Sequence, residues 1–416
     1  MKIKRFFVAF FSILLVFTIL LNTVGCTAKI QATNLMDGVK GAEVTALGSI
    51  KEENATVMDF ALRLFLAADN GENTLISPIS VLSALSMTLN GADGETKSQM
   101  QQVLGMTKEE LNLYLYTYLS ALRGDKTSSL HLANSVWFKD DQSLTVNQAF
   151  LQALADYYSA DAYKTPFDAL TLSDINNWVK NETDKNIEKI VEDIPKEAVM
   201  YLVNALSFVA EWDKSYEKEQ LQKAQFTSLD GKKSQIELMC AAEGKYIDVG
   251  NATGFIKYYK DAKYSFVALL PNEGVSPKEY LSTLDGAALS AILSGAGNTK
   301  VMAGIPRFEA EYSAKMSAVL KEMGMPLAFD RENADFSALG SYNAGNIYIN
   351  EVLHKTYISV GEKGTKAGSA SAVEMAAKLS LSPEEVKTVY LTRPFVYMLV
   401  DCENNLPLFI GTVNEL

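Results

Sequence analysis

The sequence predicts an α+β fold, because helical and strand-like periods are mixed along it. Apolar residues recur with a helical period at residues 54–68, whereas residues 202–212 form a nearly continuous apolar run of strand length. A third stretch, residues 347–381, starts as a strand and then changes composition. The chain of 416 residues is 48% hydrophobic, which is enough for a large core.

The amino terminus is typical of an export signal. Three basic side chains among the first five residues precede an apolar run at residues 6–21, which is short for a membrane span. We therefore predict a signal peptide at residues 1–25 and an exported protein. Residues 23–26 resemble a bacterial lipobox, which implies an acylated Cys26 and a membrane anchor. The alternative is a free cysteine beside an ordinary cleavage site.

The segment after the signal is expected to be a flexible tether. Residues 26–50 are polar, contain Gly and Ala, and show no strong period, so we predict a spacer before a single domain at residues 51–416. Without residues 1–25, the chain carries 35 basic and 50 acidic residues, a net charge of −15. A surface of that charge is not expected to bind nucleic acid or other polyanions.

Metal, cofactor and enzyme chemistry are not expected. Two histidines and three cysteines, without any cluster, predict neither a zinc site nor a disulfide framework, and Cys240 and Cys402 either pair or remain isolated buried thiols. The chain lacks a Gly-x-Ser-x-Gly elbow and a Gly-rich nucleotide loop. Both His131 and His354 stand in apolar, strand-like surroundings, so a Ser-His hydrolase would need a base that looks buried. The many carboxylates leave an acid-based enzyme open, but no spacing singles out a pair.

The body of the domain mixes helices with strands. Ser77 stands where its side chain caps a helix that accepts Pro78 in the first turn. The apolar run at residues 202–212 contains Asn204, whose amide needs a partner because a buried unpaired amide costs about 1–3 kcal/mol. Further predicted elements are helices at residues 94–104 and 108–122, an amphipathic helix at 175–190, and a buried strand at 131–138.

The segment from Thr365 onward alternates in an unusual way. It is rich in Ala, Ser and Gly, as a flexible linker is, and that is the plain alternative. However, Lys366, Glu374 and Lys378 all stand at even positions, and the odd positions from Thr365 to Ala377 carry no charge. Because strand side chains alternate between faces, this loop is able to become a strand with its small odd face buried.

The motifs in this part of the chain resemble a known family. Residues 354–373, HKTYISVGEKGTKAGSASAV, resemble the hinge of the reactive-centre loop of serpins, a family of serine protease inhibitors. The resemblance covers residues 54–413 and implies the serpin fold, with a large central, mostly antiparallel β-sheet, further sheets, about eight to nine helices, and an exposed reactive-centre loop at about residues 362–388. Other segments that match in the family's order are residues 73–80, 202–212, 266–271, 305–308, 321–324, 334–337, 393–396 and 406–411.

The resemblance also implies the site residues. It places Trp212 under the point where the loop enters the sheet, and a polar cluster of Ser77, Ser80, Asn204 and His354 beneath the point where the sheet must open. Lys363 and Lys366 replace glutamates that are more usual in the hinge. The hinge residues, several of them small as in inhibitory members, are Glu362, Gly364, Thr365, Ala367, Gly368, Ser369 and Ala370.

The implied activity is inhibition, not catalysis. A serine protease would attack the loop as a substrate, and the cleaved loop of this monomeric inhibitor would insert into the main sheet and trap the enzyme. The alternative is a non-inhibitory serpin that acts as a binding or scaffold protein. No glycosaminoglycan cofactor is expected, because the basic residues near residues 97–123 are interspersed with glutamates.

The reactive bond follows from spacing within the resemblance. Counting from Gly364 gives Lys378-Leu379, and a lysine there suits a trypsin-like protease. The loop is several residues longer than in many members, so residues 379–381 remain open for chymotrypsin- or subtilisin-like enzymes. Elastase-like cleavage at Ala376 or Ala377 also remains open.

Overall fold

The computed structural model describes residues 29–122, 128–365 and 386–416. The helices predicted at residues 94–104 and 108–122 are confirmed with the same bounds. The α-helices within the described ranges are α1 (Lys51–Ala68), α2 (Pro78–Leu89), α3 (Gly94–Leu104), α4 (Lys108–Leu122), α5 (Gln148–Ala153), α6 (Ala169–Glu182), α7 (Pro277–Ser282), α8 (Gly286–Ser294) and α9 (Ser317–Glu322).

The helix predicted at residues 175–190 is α6, and it ends earlier, at Glu182. Asp184 and Lys185 adopt positive φ angles of 48° and 63°, which an α-helix does not allow. The hydroxyl of Thr183 accepts from the backbone N–H of Ile187 at 3.1 Å, so a turn replaces the last two helical turns. The physical cause of the difference is therefore local backbone geometry.

The strands form one seven-stranded sheet, called the main sheet, and smaller sheets of six, four and two strands. The main sheet has the order β1-β5-β3-β6-β16-β15-β13, the six-stranded sheet β2-β19-β18-β11-β10-β9, the four-stranded sheet β17-β12-β8-β7, and β14 pairs with β4. The bounds are β1 (Thr33–Asn34), β2 (Thr74–Ile76), β3 (Ser128–Lys139), β4 (Leu144–Val146), β5 (Asp161–Thr165), β6 (Met200–Glu211), β7 (Leu221–Thr227), β8 (Lys233–Glu243), β9 (Lys245–Asp248), β10 (Ala252–Tyr258), β11 (Tyr264–Pro271), β12 (Val301–Pro306), β13 (Phe308–Lys315), β14 (Gly340–Tyr342), β15 (Glu351–Gly361), β16 (Gly364–Thr365), β17 (Lys387–Tyr390), β18 (Phe395–Asp401) and β19 (Leu406–Val413).

The middle of the main sheet contains a parallel pair of strands, β6 and β15. They pair directly from Glu351, opposite Tyr201, to Tyr357, opposite Ser207, and this interface is called the seam. Most other neighbours in the sheet are antiparallel, and β3 with β5 is the second parallel pair. We call the end of the sheet at Glu211 the upper end and the end at Met200 the lower end.

Two apolar clusters lie on opposite faces of the main sheet. The larger cluster packs β6 and β15 against the six-stranded sheet and α1–α4, with fully buried Phe60, Leu202 and Phe266 among its members. The smaller cluster packs α6 onto the other face through Trp178 and Ile175. Both faces of the seam are thus covered, which accounts for the continuous apolar run in β6.

The amino-terminal segment differs from the flexible tether that the sequence predicts. Within residues 29–50, β1 adds to the edge of the main sheet by pairing Thr33 with Lys164 on β5 near the lower end. The backbone N–H groups of Gln31 and Ala32 donate to the buried carboxylate of Asp174 at 3.0 and 2.7 Å. The physical reason is that β5 presents an open edge whose backbone groups need partners.

The remaining sequence features have plain structural settings. Cys240 is buried, Cys402 is half-buried, neither thiol is in a disulfide, and burial raises the pKa of both thiols. Cys26 lies outside the described residues. Across the described ranges, no helix combines the length and apolar character that crossing a bilayer requires. Likewise, no group of three or more His, Cys, Asp or Glu side chains in those ranges is arranged to hold a metal ion.

Candidate functional site at the opening of the main sheet

The hinge begins inside the main sheet. Gly364 and Thr365 form β16, which pairs antiparallel with Glu211 and Ala210 of β6 on one side and with β15 on the other. Gly364 has a φ of 146°, and a Cβ there would lie 2.0 Å from the carbonyl oxygen of Ala210, so only glycine fits. The two-residue strand therefore occupies the top of the seam.

Thr365 is fixed from beneath by aromatic side chains. It is fully buried, and its hydroxyl hydrogen-bonds the Tyr259 hydroxyl at 2.6 Å. Tyr259 stacks on Trp212 with ring centroids 4.3 Å apart. Trp212 in turn donates from Nε1 to the carbonyl of Gly361 at 2.8 Å and from its backbone N–H to the carbonyl of Lys363 at 2.9 Å. Trp212 thus holds the turn that leads into the hinge, where the resemblance places it.

Charged groups anchor the same turn. Glu362 forms an ion pair with Arg307, whose guanidinium also lies 3.5 Å from Glu237. The carbonyl of Glu362 accepts from the backbone N–H of Tyr216 at 2.8 Å. Next to Tyr216, the ammonium of the buried Lys257 lies 4.4 Å from the ring centroid. These contacts give the start of the hinge a defined position before any cleavage.

Lys257 is a buried charge with its own partner. Its Nζ lies 2.8 Å from a carboxylate oxygen of Glu243 and donates to the carbonyl of Lys214 at 3.1 Å. Burial lowers the pKa of Lys257, and the negative charge of Glu243 opposes that shift. A buried ammonium needs such a partner, because an unpaired buried charge is strongly destabilising.

The predicted polar cluster lies beneath the seam. Asn204 on β6 accepts at Oδ1 from the Ser80 hydroxyl at 2.6 Å, and its Oδ1 lies 2.7 Å from Nδ1 of His354. Its Nδ2 donates to the carbonyl of Ser80 at 2.9 Å and to Oδ1 of Asn134 at 2.6 Å. Because His354 and Asn204 stand opposite each other on β15 and β6, this bond bridges the seam.

Ser77 joins the cluster in a different way from the one the sequence suggests. It is the residue before α2, but its hydroxyl makes no capping bond and has no partner within the part of the chain that the structure describes. Instead, its backbone N–H donates to Nε2 of His354 at 3.2 Å. This geometry requires an unprotonated Nε2, so the proton of the neutral imidazole lies on Nδ1 and is donated to Asn204.

Burial also favours the neutral form of His354. The side chain is fully buried, and desolvation lowers its pKa to about 3. A protonated Nε2 would also face the N–H of Ser77, so two donors would point at each other. The cluster is therefore built for a neutral imidazole.

Several members of the site were missed by sequence reasoning. Asn134 on β3 extends the cluster by donating from Nδ2 to the hydroxyl of Ser83 at 2.9 Å. A lone amide in the buried strand at residues 131–138 is the same signal that singled out Asn204, so Asn134 was detectable. Tyr259 and Arg307 carried no local signal, because they meet the hinge only through the fold.

Other predicted site residues lie outside the described residues. These are Ala367, Gly368, Ser369 and Ala370 of the hinge, and the reactive bond Lys378-Leu379.

We expect the neutral state of His354 to make the protein less stable in mild acid. The folded-state pKa is below the ordinary value of about 6.5, so the stabilisation is complete above pH 6.5 and is lost as the pH falls toward 3. Urea unfolding should show a loss of about 2 kcal/mol between pH 6.5 and 5. His354→Gln should lack this loss and His131→Gln should retain it; equal pH dependence in both variants would contradict the assignment.

The comparisons with known proteins agree with the geometry. The sequence model of the family described as serpin (serine protease inhibitor) matches residues 55–416. Tengpin, a thermophilic serpin, is similar in its native state with a TM-score of 0.90 and 46% identity, covering 93% of this chain and 100% of that chain. Its latent state gives a TM-score of 0.79 at 45% identity, covering 89% and 100%.

More distant relatives share the same fold. An uncharacterized serpin-like protein of Thermococcus kodakarensis is 28% identical over 352 residues, 83% of this chain and 81% of that protein. Thyroxine-binding globulin in complex with thyroxine has a TM-score of 0.77 at 22% identity, with 88% and 99% coverage, which is a likeness of fold alone. The α+β fold with a large central sheet is confirmed. The chain belongs to the serpin family, whose members generally inhibit serine proteases.

Proposed function

We propose that this protein inhibits serine proteases as a suicide substrate and traps them by inserting its cleaved loop into the main sheet. The observation that carries the proposal is β16: residues Gly364 and Thr365 already occupy the top of the seam and run antiparallel to β6. A chain that continues from Thr365 in this direction passes down between β6 and β15. The path of insertion is therefore an extension of an existing strand.

The register of β16 fits the length of the loop. Thr365 pairs with Ala210, so an uninterrupted antiparallel strand would bring Met375 opposite Met200, the first residue of β6. Residue 378 would then stand just past the lower end. At about 3.3 Å per residue, the inserted stretch from Thr365 to Lys378 spans roughly 46 Å. An acylated protease would be carried from one end of the molecule to the other.

Insertion must release free energy that the native fold retains. The seam is closed by direct β6–β15 pairing below β16, and the greater likeness to native than to latent tengpin supports a structure in the state before insertion. In such a state, the intact loop is kept out by its covalent connection, and cleavage removes that restraint. This is how a protein can be both folded and poised to react.

A second function, that of a binding protein, has one observation in its favour. A cavity of about 500 Å³ lies where the start of α1 meets α4, α8 and the β18–β19 turn, and it is lined in part by Lys51, Thr117 and Asn404. The relative thyroxine-binding globulin is described in complex with thyroxine. Ligand binding there would not require a loop that inserts, so the two functions separate in the experiments below.

The inhibitory function is tested by a charge at Thr365. Thr365→Arg would force a cation into a fully buried site, so we expect it to block insertion and turn the inhibitor into a cleaved substrate. Thr365→Val is the matched control, since it keeps the size and apolar fit and loses only the bond to Tyr259. The measurement is the SDS-resistant complex formed with trypsin.

The outcomes for Thr365 distinguish the two functions. The unmodified chain and Thr365→Val should form the complex, and their cleaved forms should unfold at a much higher temperature than the intact forms. A complex formed by Thr365→Arg would disprove insertion. If cleaved and intact protein melt at the same temperature and no complex forms with any serine protease, the binding function remains.

For the reactive bond, we propose Lys378-Leu379 and a trypsin-like target. A lysine enters a pocket that has a carboxylate at its base, as in trypsin. Lys378→Ala should slow complex formation with trypsin by at least about 100-fold, whereas Lys366→Ala, at the start of the loop, should not. Sequencing the peptide released from the complex identifies the bond. A new amino terminus at any residue other than Leu379 would show that the reactive bond is not Lys378-Leu379.

We also propose that the protein is exported and anchored through an acylated Cys26. The support is the basic and apolar pattern of residues 1–25 and the Gly25-Cys26 pair. Mass spectrometry of the mature amino-terminal peptide should show acyl chains on Cys26, and Cys26→Ser should release the protein from membranes. An unmodified cysteine in the mature protein would restrict the proposal to secretion.

A further inference from the structure

The hinge turn is held by a short stretch of chain that follows β6. Residues 212–216, called the receiving segment, donate hydrogen bonds to the three successive carbonyls of residues 361–363. Trp212 donates from its indole and backbone N–H groups at 2.8 and 2.9 Å, and the backbone N–H of Tyr216 donates to the middle carbonyl at 2.8 Å. The position of the hinge therefore follows the position of the receiving segment.

The receiving segment is buried at its two ends. Trp212 and Tyr216 are buried, whereas residues 213–215 between them are exposed. One backbone bond, from the N–H of Asp213 to the carbonyl of Tyr258 at 3.1 Å, attaches the start of the exposed part to the chain beneath. The rest of the segment needs a further contact to stay in one position, because exposed backbone without partners is free to move.

Lys257 supplies that contact. Its ammonium donates to the carbonyl of Lys214, in the middle of the receiving segment, at 3.1 Å. The same ammonium lies 5.4 Å from the ring centroid of Trp212 and 4.4 Å from that of Tyr216. Aromatic faces attract cations at such distances. One charge thus contacts the middle and both ends of the receiving segment.

Lys257 is itself fixed by two other sheets. It belongs to β10 of the six-stranded sheet, where it pairs with Phe266 on β11. Its Nζ lies 2.8 Å from a carboxylate oxygen of Glu243, which ends β8 of the four-stranded sheet. Because the lysine side chain is 2% exposed, water screens these attractions little. The ammonium therefore joins the end of β6 to both smaller sheets.

The position of the hinge determines which face of the loop becomes buried. Thr365 is buried opposite Ala210. Because strand side chains alternate between faces, a shift of one residue would bring the charged Lys366 to that place. Burial of an unpaired charge is strongly unfavourable. Insertion therefore depends on a hinge whose register is fixed to within one residue.

We propose that Lys257 is a positioning residue for loop insertion: its ammonium holds the receiving segment, and through it the hinge, in the register from which the loop enters the seam. The inference deepens the proposed inhibitory function and rests on it. After acylation, either the loop inserts or water hydrolyses the ester, which restores the serine hydroxyl of the protease and leaves a carboxylate on the cleaved loop. Without the ammonium, entry is slower and a larger fraction of the inhibitor is consumed as a substrate.

The test measures how many inhibitor molecules are consumed for each trypsin molecule that is inactivated. Lys257→Ala should raise this ratio at least about fivefold, because the cation that orders the receiving segment is lost. The total rate of loop cleavage should stay the same, since the sequence of the loop is unchanged. Lys245→Ala is the matched control: this lysine lies on the adjacent strand β9, its ammonium bonds Asn298 at 2.6 Å, and its loss should leave the ratio unchanged.

A small amine should restore the function of the alanine variant. Lys257→Ala lacks the atoms from Cγ to Nζ, which correspond to propylammonium, and it retains two aromatic rings and a carboxylate that attract such a cation. Added propylammonium should lower the ratio again and raise the unfolding temperature of the variant, whereas the uncharged 1-propanol should do neither. Because propylammonium also enters the trypsin pocket, the ratio is compared and not the rate: slower acylation affects both outcomes of the loop equally.

A second variant separates charge from packing. Lys257→Met keeps an unbranched side chain of similar length but has no charge. It should raise the ratio as Lys257→Ala does, and propylammonium should not lower it, because the methionine fills the space. Since this variant preserves the packing, it also gives a result if Lys257→Ala does not fold.

The possible outcomes distinguish the role of Lys257 from the proposed function. An unchanged ratio in both variants, with a lower unfolding temperature, would show that the ion pair serves stability alone and would overturn the role. A ratio that 1-propanol lowers as well as propylammonium does would overturn it too, because lost packing would then be the cause. If the unmodified chain forms no SDS-resistant complex with trypsin, the proposed function is contradicted, and the role of Lys257 with it.

Discussion

The closed seam between β6 and β15 is the constraint on which the other features depend. These two parallel strands pair directly; β6 is buried on both faces and β15 mainly on one, so separating them exposes apolar side chains. A two-residue strand lies at the top of the seam, a polar cluster lies beneath it, and the residues that follow α6 hydrogen-bond to both of its strands. Each contributes to whether the strands stay together, and none closes the seam alone.

The buried cluster of Asn204 and His354 gives the seam a specific closed state. A purely apolar contact would hold the strands in many slightly different arrangements, whereas the bond between Oδ1 of Asn204 and Nδ1 of His354 is satisfied in one register. Its partners come from α2 and β3, so the cluster also ties the sheet to the helices behind it. Opening the sheet at this level costs several linked hydrogen bonds at once.

Sequence reasoning reached the parts of the structure that local pattern determines. The amide of Asn204 in an apolar strand predicted that it has buried hydrogen-bond partners, and the family resemblance identified His354 and Trp212 as site residues. The same reasoning failed for residues 29–50, because pairing with the open edge of β5 is a property of the assembled sheet and leaves no period in the sequence. It also predicted an end of α6 that is too late, because nothing in the composition signals the positive φ of Asp184. Tyr259 was not predicted, because it is 106 residues from Thr365 in sequence and meets it only in the folded chain.

The location of β1 has a consequence for a molecule tied to a surface. The described chain starts beside the lower end of the sheet, whereas the hinge of the reactive-centre loop leaves the sheet at the upper end. A molecule anchored through an acylated Cys26 would therefore present its reactive-centre loop on the side away from the membrane. After acylation, insertion of the loop would move the bound protease to the lower end, the side of the sheet at which the described chain begins. In a membrane-anchored molecule, the bilayer would then lie close to the bound protease.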